Sequence, residues 1–101
     1  MHRVTIQYAV PADPTAFDEH YFERHVPMLA PIPGLAGFSW SKPRPLGGEH
    51  LVYLVAELDF ADEPTYRAAL GSPSMRAAAV DAQGLDVALT MFSGEVHPTH
   101  P

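Results

Sequence analysis

Residues 51–60, LVYLVAELDF, limit what this chain can fold into more than any other stretch. Ten residues rich in β-branched, aromatic and leucyl side chains, preceded by Gly47-Gly48 and followed by Asp62, read as a strand. A strand with one wet face alternates apolar and polar positions. Over its first half this one does not. Leu51, Tyr53 and Val55 fall on one face, and Val52, Leu54 and Ala56 on the other. Both faces of the sheet that holds it therefore need cover.

The rest of the chain supplies cover for one face. Residues 3–10 alternate Val4, Ile6, Tyr8 and Val10 with Arg3, Thr5, Gln7 and Ala9, a half-buried strand that Pro11 ends. Asp13 offers an N-cap and Pro14 a first helical position, so a helix is predicted from about 14 to 29, with Pro27 bending or shortening its last turn. Pro31, Pro33 and Gly34 force a turn into a second strand, 35–40, and SKPRPLGGEH at 41–50 reads as an exposed hairpin loop. Asp62 caps a second helix to Leu70. Gly71 breaks it, and Ser72-Pro73 restarts helix until Gly84. Residues 87–96 form a last strand, with Leu89 and Met91 set against Ala88 and Phe92, and HPTHP at 97–101 is a loose polar tail.

The order βαββαβ predicts an α+β fold of ferredoxin-like type: one four-stranded antiparallel sheet with the helices on one face, all within a single domain of 101 residues. No element remains for the other face. A second copy, packed sheet to sheet, is the economical cover, so a homodimer is expected. A chain this short also buries a limited share of its own surface.

Charge removes several partner classes. Twelve acidic residues against six basic ones leave a formal charge of −6, so neither nucleic acid nor an anionic membrane is expected as a partner. The absence of cysteine excludes disulfides and thiolate chemistry and suits a reducing cytoplasm. The opening MHRVTIQYAV is too short and too alternating for a signal peptide, and no run reaches membrane-spanning length.

The first helix carries the chemistry. At about 100° per residue, with Phe17 at zero, Met28, Tyr21, His25, Asp18 and Leu29 fall within an arc of roughly 120°, which Phe22 and Val26 extend to about 180°. Glu19, Glu23, His20 and Arg24 gather opposite, as a solvated face. Tyr21 and His25 thus stand at i and i+4 in the apolar arc, with Asp18 one turn earlier. A phenol beside an imidazole in a dry cavity can hold a carbonyl oxygen and move a proton. Two core residues bonded to backbone would show the same pattern. Asp18 and His25 are roughly 10 Å apart along the axis and need an intermediary to communicate. Phe38 and Trp40 share a face of the second strand and suit either a flat substrate or the core. His20 and His25 lie about 140° apart on a regular helix and cannot share one ion. His50 reads as solvated, and the pair His97 and His100 sits on a tail too loose to hold a metal. No phosphate loop, dinucleotide fingerprint or nucleophile elbow is present, so no cofactor and no metal is expected.

FDEHYFERHVPMLAPIPGL resembles the signature of EthD-domain proteins: an aromatic residue, His-Tyr, His-x-Pro, then Pro-Gly-Leu before the second strand. LVYLVAELDF followed by ALGSPSMRAAAVD is similar to that family's second half, so the likeness spans nearly the whole chain. The resemblance implies a dimeric α+β barrel, in which two ferredoxin-like units pack sheet to sheet and a pocket lies between each sheet and its helices. It also implies site roles for His25 and Tyr21, which match the motif; His20 matches too, but its polar arc argues for the surface. The function expected is cofactor-independent acid–base chemistry of cyclase, isomerase or dehydratase type on a small apolar, oxygen-bearing catabolite. His25 would be the base or acid and Tyr21 the donor, with Asp18, Phe22, Trp40 and Phe38 binding substrate. Two alternatives stand beside it. One is an oxidoreductase, either a cofactor-free or a haem-assisted monooxygenase. The other is a non-catalytic small-molecule binder or accessory protein of a degradation pathway.

Overall fold

A computed structural model describes residues 1–100. Four strands, β1 (His2–Ala9), β2 (Leu35–Ser41), β3 (Val52–Phe60) and β4 (Leu89–Glu95), form one antiparallel sheet in the order β2-β3-β1-β4. This is the ferredoxin-like arrangement. The helical elements are α1 (Pro14–His20), extended through residue 29, α2 (Glu63–Leu70) and α3 (Pro73–Gln83). Each α-helix starts where a short polar side chain meets a proline. Asp13, Asp62 and Ser72 accept the backbone N–H of Ala16, Thr65 and Met75 respectively, satisfying donors that a helix start leaves free.

The sheet's two faces follow from its register, because directly opposed residues share a face. Val4 and Tyr8 of β1 oppose Leu58 and Leu54, and all four are buried beneath the helices with Ala56 and Phe60. The opposite face carries Arg3, Thr5 and Gln7 against Asp59, Glu57 and Val55. Arg3 Nε lies 2.7 Å from Asp59 and 2.8 Å from Glu57. That face is therefore more polar than residues 51–56 suggest, and a bulge changes which of those residues lie on it. Tyr8 pairs with Leu54 but Ala9 with Val52, which leaves Tyr53 unpaired. An extra residue in one strand re-aims a side chain. Tyr53 turns to the helix side, where its ring meets Phe17 edge-on at 5.4 Å. The expected placement of Tyr53 with Leu51 and Val55 fails for this reason; Val52, opposite Ala9, takes its place, so that Val52, Val55 and Phe92 are the apolar positions on the uncovered face.

Under the helices the core divides in two along β1. One cluster joins Val4, Leu58 and Phe60 to Leu29, Ile32 and Ala78; the other joins Tyr8 and Leu54 to Phe17, Tyr21 and Leu85. Helix cover stops short of β4, whose residues are all exposed. Gly34, at φ +74°, begins the return into β2 beneath Thr65, whose side chain occupies the space a Cβ would need. No helix is long and apolar enough to cross a membrane among the described residues. In the tail, exposed His97 lies 3.6 Å from Glu95, while Pro101 lies outside the described residues.

Candidate functional site

The first helix changes pitch twice, and the site depends on it. After α1 the backbone widens into a π-helical turn at Tyr21–His25, in which the N–H of Val26 donates to the carbonyl of Tyr21, five residues back. It then tightens into a 3-10 turn at Val26–Leu29. Pro27 accounts for the change. It has no N–H to give, and its ring would strike the carbonyl four residues earlier in a regular helix. A single π turn brings residues five apart into line.

His20 and His25 are five apart. Both reach Asp81, near the end of α3: His20 Nε2 lies 3.0 Å from each carboxylate oxygen, and His25 Nδ1 lies 3.0 Å from Oδ2. The expectation that His20 faces solvent, 140° away from His25, is corrected here, because a fixed 100° step does not describe this turn. Gly84 makes room, since a Cβ there would stand 3.1 Å from His20 Cε1. Burial alone would raise the Asp81 carboxyl. The hydrogen bonds from both imidazoles, with their charge, outweigh it and hold the group below the ordinary carboxylate range. An ionised Asp81 accepts hydrogen bonds only, so Nδ1 of His25 carries a proton. In the neutral ring Nε2 is then the basic atom.

His25 borders a cavity of about 690 Å³ between the sheet and α3. Its floor is β1 and β4, where Val4, Ile6 and Tyr8 oppose Ser93, Met91 and Leu89. Its lining is overwhelmingly apolar. His25 and Tyr8 are the titratable groups at the deep end. Tyr8 is 1% exposed, and its hydroxyl is pushed up to about 12, first by burial and then by the charge of Asp81. It stays a phenol, able to donate.

Tyr21 sits behind this wall and does not line the cavity. It has no exposed surface, and its hydroxyl has no partner among the described residues. Burial first, and then the neighbouring Tyr8, push that hydroxyl well above the usual phenol range. The Tyr21 ring packs on His25 at 5.4 Å and on Tyr8 at 5.4 Å, so it braces both. Asp18, Phe22 and Trp40 gather elsewhere. Lys42 Nζ lies 2.6 Å from Asp18, Tyr53 donates to Asp18 at 3.0 Å, and Trp40, half-exposed, rests on Phe22 at 4.7 Å. Asp18 thus has no route to His25 through these partners. Phe38 packs against both core clusters. The structure brings His25, Asp81 and Tyr8 together and leaves these four aside.

Asp81 and Tyr8 were missed from the sequence. One signal existed for the first: two histidines at i, i+5 with proline two residues beyond the second. Among the described residues, no group of three or more His, Cys, Asp or Glu could hold a metal ion.

The family model described as the EthD domain matches residues 10–85. An uncharacterized 11.0 kDa protein from the thcB-thcC intergenic region of Rhodococcus erythropolis is 43% identical over 82 residues, 80% of each chain. A solved EthD family protein from Bacillus halodurans is 31% identical, covers 96% of this chain and 99% of its own, and superposes with a TM-score of 0.85. SnoaB, a cofactor-independent oxygenase from Streptomyces nogalater, shares the fold at 19% identity, over 99% and 96% of the two chains, with a TM-score of 0.71.

Proposed function

The chain belongs to the EthD family, and on that premise we propose that it is a cofactor-independent enzyme moving a proton beside a carbonyl in a small, largely apolar, oxygen-bearing molecule. The observation that carries this reading is His25: an imidazole at the wall of an apolar cavity, with Nδ1 bound to an ionised carboxylate and Nε2 left as base. The C–H bond beside the carbonyl breaks, its proton passes to Nε2, and its electron pair moves onto the carbonyl oxygen. Tyr8 donates a hydrogen bond to that enolate oxygen, and Asp81 stabilises the imidazolium. Return of the proton to another carbon isomerises the substrate. Loss of a β-hydroxyl dehydrates it, and attack on a second carbonyl closes a ring.

The test needs no known substrate. Methyl ketones of increasing chain length, incubated with enzyme in heavy water, exchange α-protons for deuterons, followed by proton NMR. Exchange by the wild type that His25→Gln lacks supports the reading. Tight binding without exchange would leave a small-molecule binder in its place. A second reading, a cofactor-free oxygenase, draws support from the same base, because an enolate in a dry cavity can pass electrons to dioxygen. Oxygen uptake that keeps pace with ketone consumption would favour it.

The protein is also read as a homodimer through its sheet face. Exposed Phe92 on β4, with Val52 and Val55 on β3, all on the uncovered face, support this. Light scattering at micromolar concentration is expected to give twice the chain mass, and a stable monomer would end the idea.

A further inference from the structure

The cavity has a second polar end. Val4 and Tyr8, at its two extremes, are four residues apart on one strand, about 13 Å at the usual rise. His25 and Tyr8 mark one end; at the other, beside Val4, Ser93 Oγ donates to Tyr66 Oη at 2.9 Å. Between them the walls are aliphatic, from Ile6, Leu58, Ala78 and Met91.

Tyr66 is held in place. Its ring stacks on His2 at 4.3 Å and leans on Phe60 at 5.9 Å, so its hydroxyl has little freedom to leave the cavity. Two hydroxyls carry two protons between them, and their mutual bond uses one. The pair stands exposed at this end of the cavity, and the other proton, with no acceptor on the protein among the described residues, is met by water until a ligand oxygen replaces it. Donors at a cavity wall are what fix a ligand's orientation in an otherwise apolar site.

We infer that Tyr66, with Ser93, is a second anchor, and that the ligand is an elongated apolar molecule with an oxygen function at each end. One oxygen meets Tyr8 and His25, and the other accepts from the Tyr66–Ser93 pair. The inference rests on reading this cavity as the substrate site and adds to it the class of substrate. A neutral hydrogen bond gained here sets the discrimination, at about threefold to tenfold in affinity.

Calorimetric titration with n-octanol and with α,ω-octanediol tests the anchor without any turnover. Tyr66→Phe keeps the ring and its packing and removes the hydroxyl alone. The expected result is a diol affinity lowered by about threefold to tenfold, with n-octanol unchanged. Equal losses for both alcohols would make Tyr66 a mere wall, and no loss for either would leave the pair without a role. Each of those results overturns the anchor and spares the cavity. Failure of both alcohols to bind the wild type would overturn the cavity reading and the anchor together.

Discussion

Replacing His25 with glutamine is expected to slow α-proton exchange by about 10²–10⁴-fold, the range that a positioned general base contributes, while n-octanol still enters the cavity. Asp81→Asn should follow it part of the way. An amide can still fill the space between His20 and His25, but it no longer obliges Nδ1 to be the protonated nitrogen, and it brings no charge to meet the imidazolium. Asp81 touches no substrate, so the distinguishing sign is a fall in kcat with ligand affinity intact. Stability offers a second check, with a definite direction. The folded carboxyl is held below its ordinary value of 3.8. A depressed acid stabilises the fold above that ordinary value and loses its contribution as pH falls through the lower folded one. The stability gap between wild type and Asp81→Asn, read from urea midpoints, should therefore be level at neutral and mildly acid pH and close in strongly acid solution. A gap unchanged at the acid end would show that the clamp acts by packing and not by charge.

Tyr21 offers the second large effect, and it separates two roles that the sequence joins. Tyr21→Ala should cost about 3–5 kcal/mol of unfolding free energy, as for other buried aromatic truncations. The ring contacts Tyr8, Phe17, Phe22 and His25, and its loss leaves both proposed catalytic groups without a brace. Tyr21→Phe should behave in the opposite way. It removes a hydroxyl that is buried without a partner, a burden of about 1–3 kcal/mol, so stability should hold or rise and exchange should continue. A hundredfold loss of exchange in a well-folded Tyr21→Phe would return the donor role from Tyr8 to Tyr21.

The fold was legible because each element carries its own punctuation. Asp13-Pro14, Asp62 with Pro64, and Ser72-Pro73 are caps that need no tertiary context, and the alternation from Val4 to Tyr8 survives intact in the sheet. Residues 51–56 were harder. A bulge leaves no mark in a period-two count, and it moved Tyr53 from one face to the other. The site was half legible. His25 stood out by its place in an apolar arc, but the same projection at constant pitch sent His20 to the wrong side. Asp81, one acid in SPSMRAAAVDAQ, looks like an ordinary helix-surface residue until α3 is laid against the π turn. Tyr8 was counted as an inward strand position, which it is. That it also faces a cavity depends on how far the helices leave β4 uncovered, and no local pattern encodes that distance.

A π turn amounts to a helix holding one residue more than its regular pitch would accommodate, so the geometry around His25 is stored as chain length as well as side-chain type. Deleting one residue between Tyr21 and His25 would restore ordinary winding and keep both histidines, Asp81 and Tyr8 in the sequence. The two imidazoles, now four apart on a regular helix, would still share a side, about 40° apart, and the carboxylate could still reach both. The interval from His20 to His25 and the pitch of the turn are thus one choice made twice: five residues need the π turn, and four would need a regular one.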